Sequence, residues 1–169
     1  MKRYRNYFSY VLCCVLLASG CSSHSNSHGS STGGSGKTAT ASELVTEADA
    51  ARLLGGPVQT TTKTTTPNES ICGYLRINKD QAAQLYVTLR LSPTEESAKS
   101  DYEGVTKYGE WRMVAGIGDE AQITGGNEKI SVSARRKRYL LMLSVFGSES
   151  MKPSPDEIKS LAKRVMDQL

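Results

Sequence analysis

Few side chains in this 169-residue chain are of the types that do covalent or metal chemistry, and each can be weighed by its surroundings. Cys72 is the one thiol that lies well inside the folding part of the sequence. A thiol nucleophile needs a neighbouring base, and neither histidine, His24 nor His28, falls beyond residue 28. Strand alternation groups Cys72 with Tyr74 and Arg76, opposite Ile71, Leu75 and Ile77. If those three apolar residues face the helices, Cys72 lies on the other surface of the sheet. A buried, inert thiol is the preferred reading, with pairing to a second chain as a lesser alternative. His24 and His28 are four residues apart, a spacing that suits metal ligation on a helix. They sit, however, in SSHSNSHGSSTGGSGKTATA, which holds neither of them in place, and they read as solvated linker residues. No Cys/His spacing supports zinc, so no metal and no cofactor is expected. Glu95-Glu96 is the obvious carboxylate pair, and its place at a helix start suits the helix dipole.

Other residues suit binding rather than catalysis. Arg135, Arg136, Lys137 and Arg138 put four cations in a row, able to meet anionic headgroups or acidic polymers at up to ~1 kcal/mol per charge. The alternative is a solvated hairpin tip that discourages edge pairing. Gly116-Ile117-Gly118-Asp119 has the glycines of an anion loop, but a strand follows it where a phosphate loop opens a helix. It reads as a structural turn in which Asp119 caps its own backbone. Trp111, between Tyr108 and Met113, marks a small aromatic patch of the kind found both at interfaces and in cores.

The first twenty residues carry an address. Lys2, Arg3 and Arg5 precede an apolar run from Tyr7 to Ala18, which is too short for the ~20 residues of a spanning helix. The run ends in Leu17-Ala18-Ser19-Gly20-Cys21. These residues resemble the lipobox of bacterial lipoproteins, with Ala18 where that pattern often has leucine and Leu17 one step earlier. The resemblance implies cleavage after Gly20, diacylglycerol on the Cys21 sulfur and acylation of the new amine. Two or three acyl chains, at ~0.8 kcal/mol per buried methylene, hold a protein on a membrane stably. In a cell with two membranes, Ser22 in place of aspartate favours the outer one.

Cleavage changes the bulk picture. The formal charge of +4 includes Lys2, Arg3 and Arg5; without them 18 basic residues face 17 acidic ones, a net of +1. A basic surface for nucleic acid is not implied. Cys13 and Cys14 leave with the signal, so no internal disulfide can form and the domain must hold by its core. Residues 21–42 form the lipidated cysteine and a flexible Ser/Gly tether, with a root-mean-square reach of about 25 Å for some twenty residues. Residues 43–169 are left for a single globular domain.

Three helices announce themselves by their ends. Thr46 with Asp49 starts the first and Gly55 stops it. Ser92-Pro93-Thr94-Glu95 predicts a second, with Ala98, Tyr102 and Val105 inward and Gly109 as the stop. Ser154-Pro155-Asp156-Glu157 starts the third, whose apolar stripe is Ile158, Leu161, Ala162, Val165 and Leu169. Alternating apolar residues predict strands around Ile71–Asn78, Ala83–Leu91, Ile130–Ala134 and Tyr139–Val145, with Thr60–Thr66 as an edge. Arg135–Arg138 falls at the tip between the last two. The expected order is helix, three strands, helix, two or three strands, helix. That is an α+β domain with three helices on one face of an antiparallel sheet of about five to six strands.

Ala50-Ala51-Arg52-Leu53-Leu54-Gly55-Gly56-Pro57-Val58, Cys72-Gly73-Tyr74 and Val114-Ala115-Gly116-Ile117-Gly118-Asp119-Glu120-Ala121 are similar, in this order, to motifs of a family of small envelope lipoproteins of unknown function. The resemblance covers residues 44–169 and implies the fold and an envelope location, not an activity. The leading expectation is therefore a non-catalytic, lipid-anchored envelope domain that binds another envelope component, a protein above all. A small-molecule or lipid-binding module, its ligand between sheet and helices, is the second. An enzyme using Cys72 or a carboxylate pair is the third.

Overall fold

The computed structural model of the chain describes residues 39–78, 81–148, 150 and 152–169. The export signal 1–20, Cys21, His24 and His28 lie outside the described residues.

The chain runs α1 (Ala41–Leu44), α2 (Glu47–Leu54), β1 (Gln59–Thr65), β2 (Glu69–Asn78), β3 (Gln81–Leu91), α3 (Glu95–Thr106), β4 (Arg112–Met113), β5 (Glu120–Gly125), β6 (Lys129–Arg136), β7 (Tyr139–Gly147) and α4 (Pro155–Asp167). The seven strands among the described residues form one antiparallel sheet in the order β1-β2-β3-β7-β6-β5-β4. The α+β class holds, but among the described residues four helices and seven strands replace the three helices and five or six strands expected. Two meanders, β1-β2-β3 and β4-β5-β6-β7, join where β3 pairs with β7.

Helix starts follow their side chains. Thr46 and Asp49 cap each other at α2: Asp49 N–H donates to Thr46 Oγ1 at 3.2 Å, and Thr46 N–H donates to Asp49 Oδ2 at 3.0 Å. Ser154 and Glu157 do the same at α4, with Pro155 at the first turn. Each such cap contributes about 1 kcal/mol. Helix α1 was unforeseen: Thr40 and Glu43 form a further capping box, and the Ala41 N–H donates to the buried Ser70 hydroxyl at 3.0 Å. Ala41 and Ser42, assigned to the tether by composition, therefore belong to the folded domain. Helix α3 starts two residues later than Ser92-Pro93 suggests, with Thr94 accepting from the Ser97 N–H at 3.1 Å. Ser92 is buried instead, its hydroxyl donating to Asp101 at 2.9 Å and its carbonyl accepting from Arg138 Nε at 2.8 Å.

One face of the sheet carries Cys72, Tyr74, Leu85, Val87, Leu141, Leu143, Val145 and Val132, all essentially buried under α1, α2 and α4. Helix α4 supplies Ile158, Leu161, Ala162, Val165 and Met166 to this core. Leu169, expected in that stripe, is half-buried against the core's edge. An apolar side chain fully removed from water contributes about 1.5–3 kcal/mol, so this layer dominates stability. The Tyr74 hydroxyl donates to the Val45 carbonyl, and an Arg76 guanidinium N–H donates to the Leu54 carbonyl at the end of α2. A Cβ on Gly56 would stand 2.8 Å from Arg76 Nε, so a side chain there would have to shift the guanidinium. The faces are thus the reverse of the conditional reading: Cys72 and Tyr74 meet the helices, and Ile71, Leu75 and Ile77 point the other way.

The helices do not share one face either. Helix α3 packs on the opposite side through Ala98 and Tyr102, over β6 and β7. Its Asp101 approaches Arg90 at 3.9 Å, and Arg90 pairs with Glu69 at 2.9 Å. Beneath it the sheet is partly polar: Ser131 and Ser133 are buried, and Ser131 bonds Ser144 at 2.9 Å.

Candidate functional site

The run Arg135–Arg138 is divided among separate partners, while Lys137 and Arg138 stay exposed at the hairpin tip. Arg135, its side chain only 11% exposed, pairs with Glu120 at 3.0 Å and Asp119 at 3.3 Å. Arg136 donates to the Met166 carbonyl at 2.6 Å, tying the hairpin to the end of α4. Arg138 holds Ser92 on the sheet's other side. Strand pleating sends Arg135 and Arg136 to opposite faces, and each of the three arginines finds its own partner. Lys137 and Arg138 form the turn, with Lys137 in a left-handed conformation with φ of 51°.

The Gly-Ile-Gly-Asp segment is a latch on that hairpin. Ile117 is buried, and the Asp119 N–H donates to the Arg135 carbonyl at 2.8 Å. Asp119 does not cap its own backbone: its carboxylate accepts from the Lys137 N–H at 2.7 Å, supporting the strained turn residue. As the sequence suggested, strand β5 follows the turn at once.

Cys72 is fully buried in the core between sheet and helices. Trp111 is half-buried, its Nε1–H donating to the Tyr108 carbonyl at 2.9 Å. Tyr108 and Met113 beside it are 76% and 71% exposed. The structure thus keeps this aromatic cluster together at the short edge strand β4.

A larger feature went unseen in the sequence. Where α3 stops covering the outer face, strands β2, β3 and β7 leave an open surface. Ile71, Leu75 and Ile77 line it on β2, Tyr86 and Thr88 on β3, and Met142, Ser144 and Phe146 on β7, as the register dictates. None of these eight is buried, and Ile77 is 61% exposed. The Tyr86 and Phe146 rings meet edge to face at 6.1 Å, with the Lys129 ammonium 5.1 Å from the Phe146 centroid. Sequence alternation could have found this surface only if the polar residues had all fallen on one side of each strand.

The inner helices form a second concavity, a groove of about 390 Å³ between α2 and α4. Leu53 and Leu161 form its floor, and Asp49, Arg52, Asp156, Glu157, Ser160 and Arg164 its walls. Arg164 closes one end, donating to Asp49 at 2.9 Å and to the Leu44 carbonyl at 3.3 Å. Burial works against ionisation of Asp49, but the Thr46 hydrogen bonds and the Arg164 charge outweigh it. The carboxyl is held below its ordinary value of 3.8. A depressed native pKa contributes stability that is present above the unfolded-state value and lost as pH falls through the native one. Asp49→Asn should therefore lower the urea midpoint at neutral pH, and the gap from wild type should narrow between about pH 4 and pH 2. A gap constant across that range would contradict this assignment.

No protein-family model and no curated protein matches the chain.

Proposed function

We propose that this chain is a lipid-anchored protein of the cell envelope, held to the membrane through Cys21, whose domain binds an envelope protein and performs no catalysis. The open face formed by Leu75, Ile77, Tyr86, Met142 and Phe146 carries the reading. Aromatic residues and methionine are enriched in protein interfaces, where apolar anchors mix with hydrogen-bonding groups. Thr88, Gln84 and Ser144 supply such groups on this same face. That mixture suits a protein surface better than a hydrocarbon one, which leaves hydroxyls and amides unpaired. The lipobox-like Leu17–Cys21 and the Ser/Gly stretch after it support the anchor and a domain free to search from the membrane. The enclosed position of Cys72, with no histidine among the described residues, weighs against thiol chemistry.

Two measurements test the reading. Mass spectrometry of the mature N-terminus should find a diacylated Cys21, and Cys21→Ser should leave the membrane fraction. Crosslinked envelopes should yield a specific protein that Ile77→Asp and Phe146→Asp lose, while both variants melt as the wild type does. Capture unchanged by either substitution, or no specific protein at all, overturns the binding face; a Cys21→Ser protein that stays membrane-bound overturns the anchor.

A further inference from the structure

The groove between α2 and α4 lies on the opposite side of the sheet from the open face, so what it binds is a separate question with a separate answer. Its walls carry five charged side chains, and four of them are already engaged. Asp49 is taken by Thr46 and Arg164. Glu157 accepts from the Ser154 N–H at 2.7 Å, completing the α4 cap. Asp156 pairs with Lys159 at 2.6 Å. Arg164 is spent on Asp49 and the Leu44 carbonyl. Arg52, among the described residues, donates to no partner, and the Ser160 hydroxyl on the facing helix has none either.

The same groove is lined by Leu53 and Leu161, each 8% exposed. Arg52 and Leu53 come from α2, Ser160 and Leu161 from α4, and all four line the same groove. The site therefore offers one uncommitted cation, one uncommitted hydroxyl and an apolar floor, in a volume within the usual range for small-ligand clefts. We propose that the groove binds a small monoanionic amphiphile, its carboxylate on Arg52 and Ser160 and its short apolar tail on Leu53 and Leu161. A guanidinium forks naturally onto a carboxylate, and an alkyl tail gains by leaving water. A cationic ligand would find Asp49 and Glu157 already taken by Arg164, Thr46 and the α4 cap.

The test uses the full chain and three probes: decanoate, decanol and acetate, at low ionic strength and below micelle formation. Leucine methyl NMR locates the event at Leu53 and Leu161. Decanoate should shift both sets of methyl signals saturably, decanol should bind at least tenfold more weakly, and acetate should leave them unmoved. Arg52→Gln should weaken decanoate about tenfold, to the decanol level. Ser160→Trp, which fills the groove from an exposed position, should abolish binding without lowering the melting temperature. Methyl signals that decanoate does not move overturn the site. Decanol binding as tightly as decanoate, or decanoate binding equally to Arg52→Gln, overturns the anionic assignment.

Discussion

Gly118→Ala lowers the unfolding free energy by about 3–5 kcal/mol, read as a fall in the urea midpoint at unchanged slope. Two costs add at this position. Gly118 has a φ of 59°, where an L side chain is disfavoured by about 1–2 kcal/mol. The new Cβ would also fall inside contact distance of the Arg135 carbonyl oxygen, with the Arg135 carbonyl carbon and Met166 Cε each 3.2 Å away. Backbone carbonyls cannot swing aside as a side-chain tip can, so the latch must lift from the hairpin. Lifting it loosens Asp119 from the Lys137 N–H and from Arg135. Against a typical total of 5–15 kcal/mol, such a loss leaves the domain marginal. Gly116→Ala is the control: its φ is 80°, but a Cβ there meets nothing within 4 Å. Only the conformational cost should appear. Equal midpoints for the two variants would mean that the close approach at Gly118 is not what excludes a side chain.

Leu143→Ala should cost about 3–4 kcal/mol, the second large effect. Leu143 is fully buried on the central strand β7, between Val87 on β3 and Val132 on β6, in the layer under the helices. Removing its branch leaves a void bounded by strands on both sides, which cannot close without moving the sheet. Ile77→Ala, which removes a comparable amount of apolar side chain from the open face, should change stability by less than about 0.5 kcal/mol. A stability cost at Ile77 approaching that at Leu143 would make Ile77 a core residue and remove the reason to look for a partner on that face. Denaturant melts of the two variants in parallel decide the matter.

How much of this was legible depends on how local each determinant is. Thr46 with Asp49, and Ser154 with Glu157, mark their helices because a cap is a contact within three residues. Ser92-Pro93 mimicked such a start, but the Ser92 hydroxyl is claimed by Asp101 from within the helix and its carbonyl by Arg138 from a distant hairpin. Helix α1 is four residues inside a Ser/Thr-rich flank, too short to show a periodicity. Strand β4 is two residues defined only by pairing with β5. Which face was inner could not be read, because β2 is apolar on both sides: Cys72 and Tyr74 on one, Ile71, Leu75 and Ile77 on the other. The same ambiguity hid the open face, and hid that α3 packs opposite the other helices. The arginine run misled for the converse reason. Four like charges look like one patch in sequence, yet Arg135, Arg136 and Arg138 answer to Glu120, Met166 and Ser92, residues 15 to 46 positions away.

The two ends of the sheet constrain how any other chain can meet it. At one end, β4 offers two residues, too few to template a further strand. At the other, β1 is seven residues long but carries the exposed Lys63 at its middle and a shift of register between Thr60 and Thr62. A fibre-forming edge needs a long, straight row of unpaired backbone groups, and neither end supplies one. Growth by strand addition is thereby discouraged without sealing the surface, and under the proposed function recognition falls to side chains meeting the sheet broadside rather than to backbone joining it end to end.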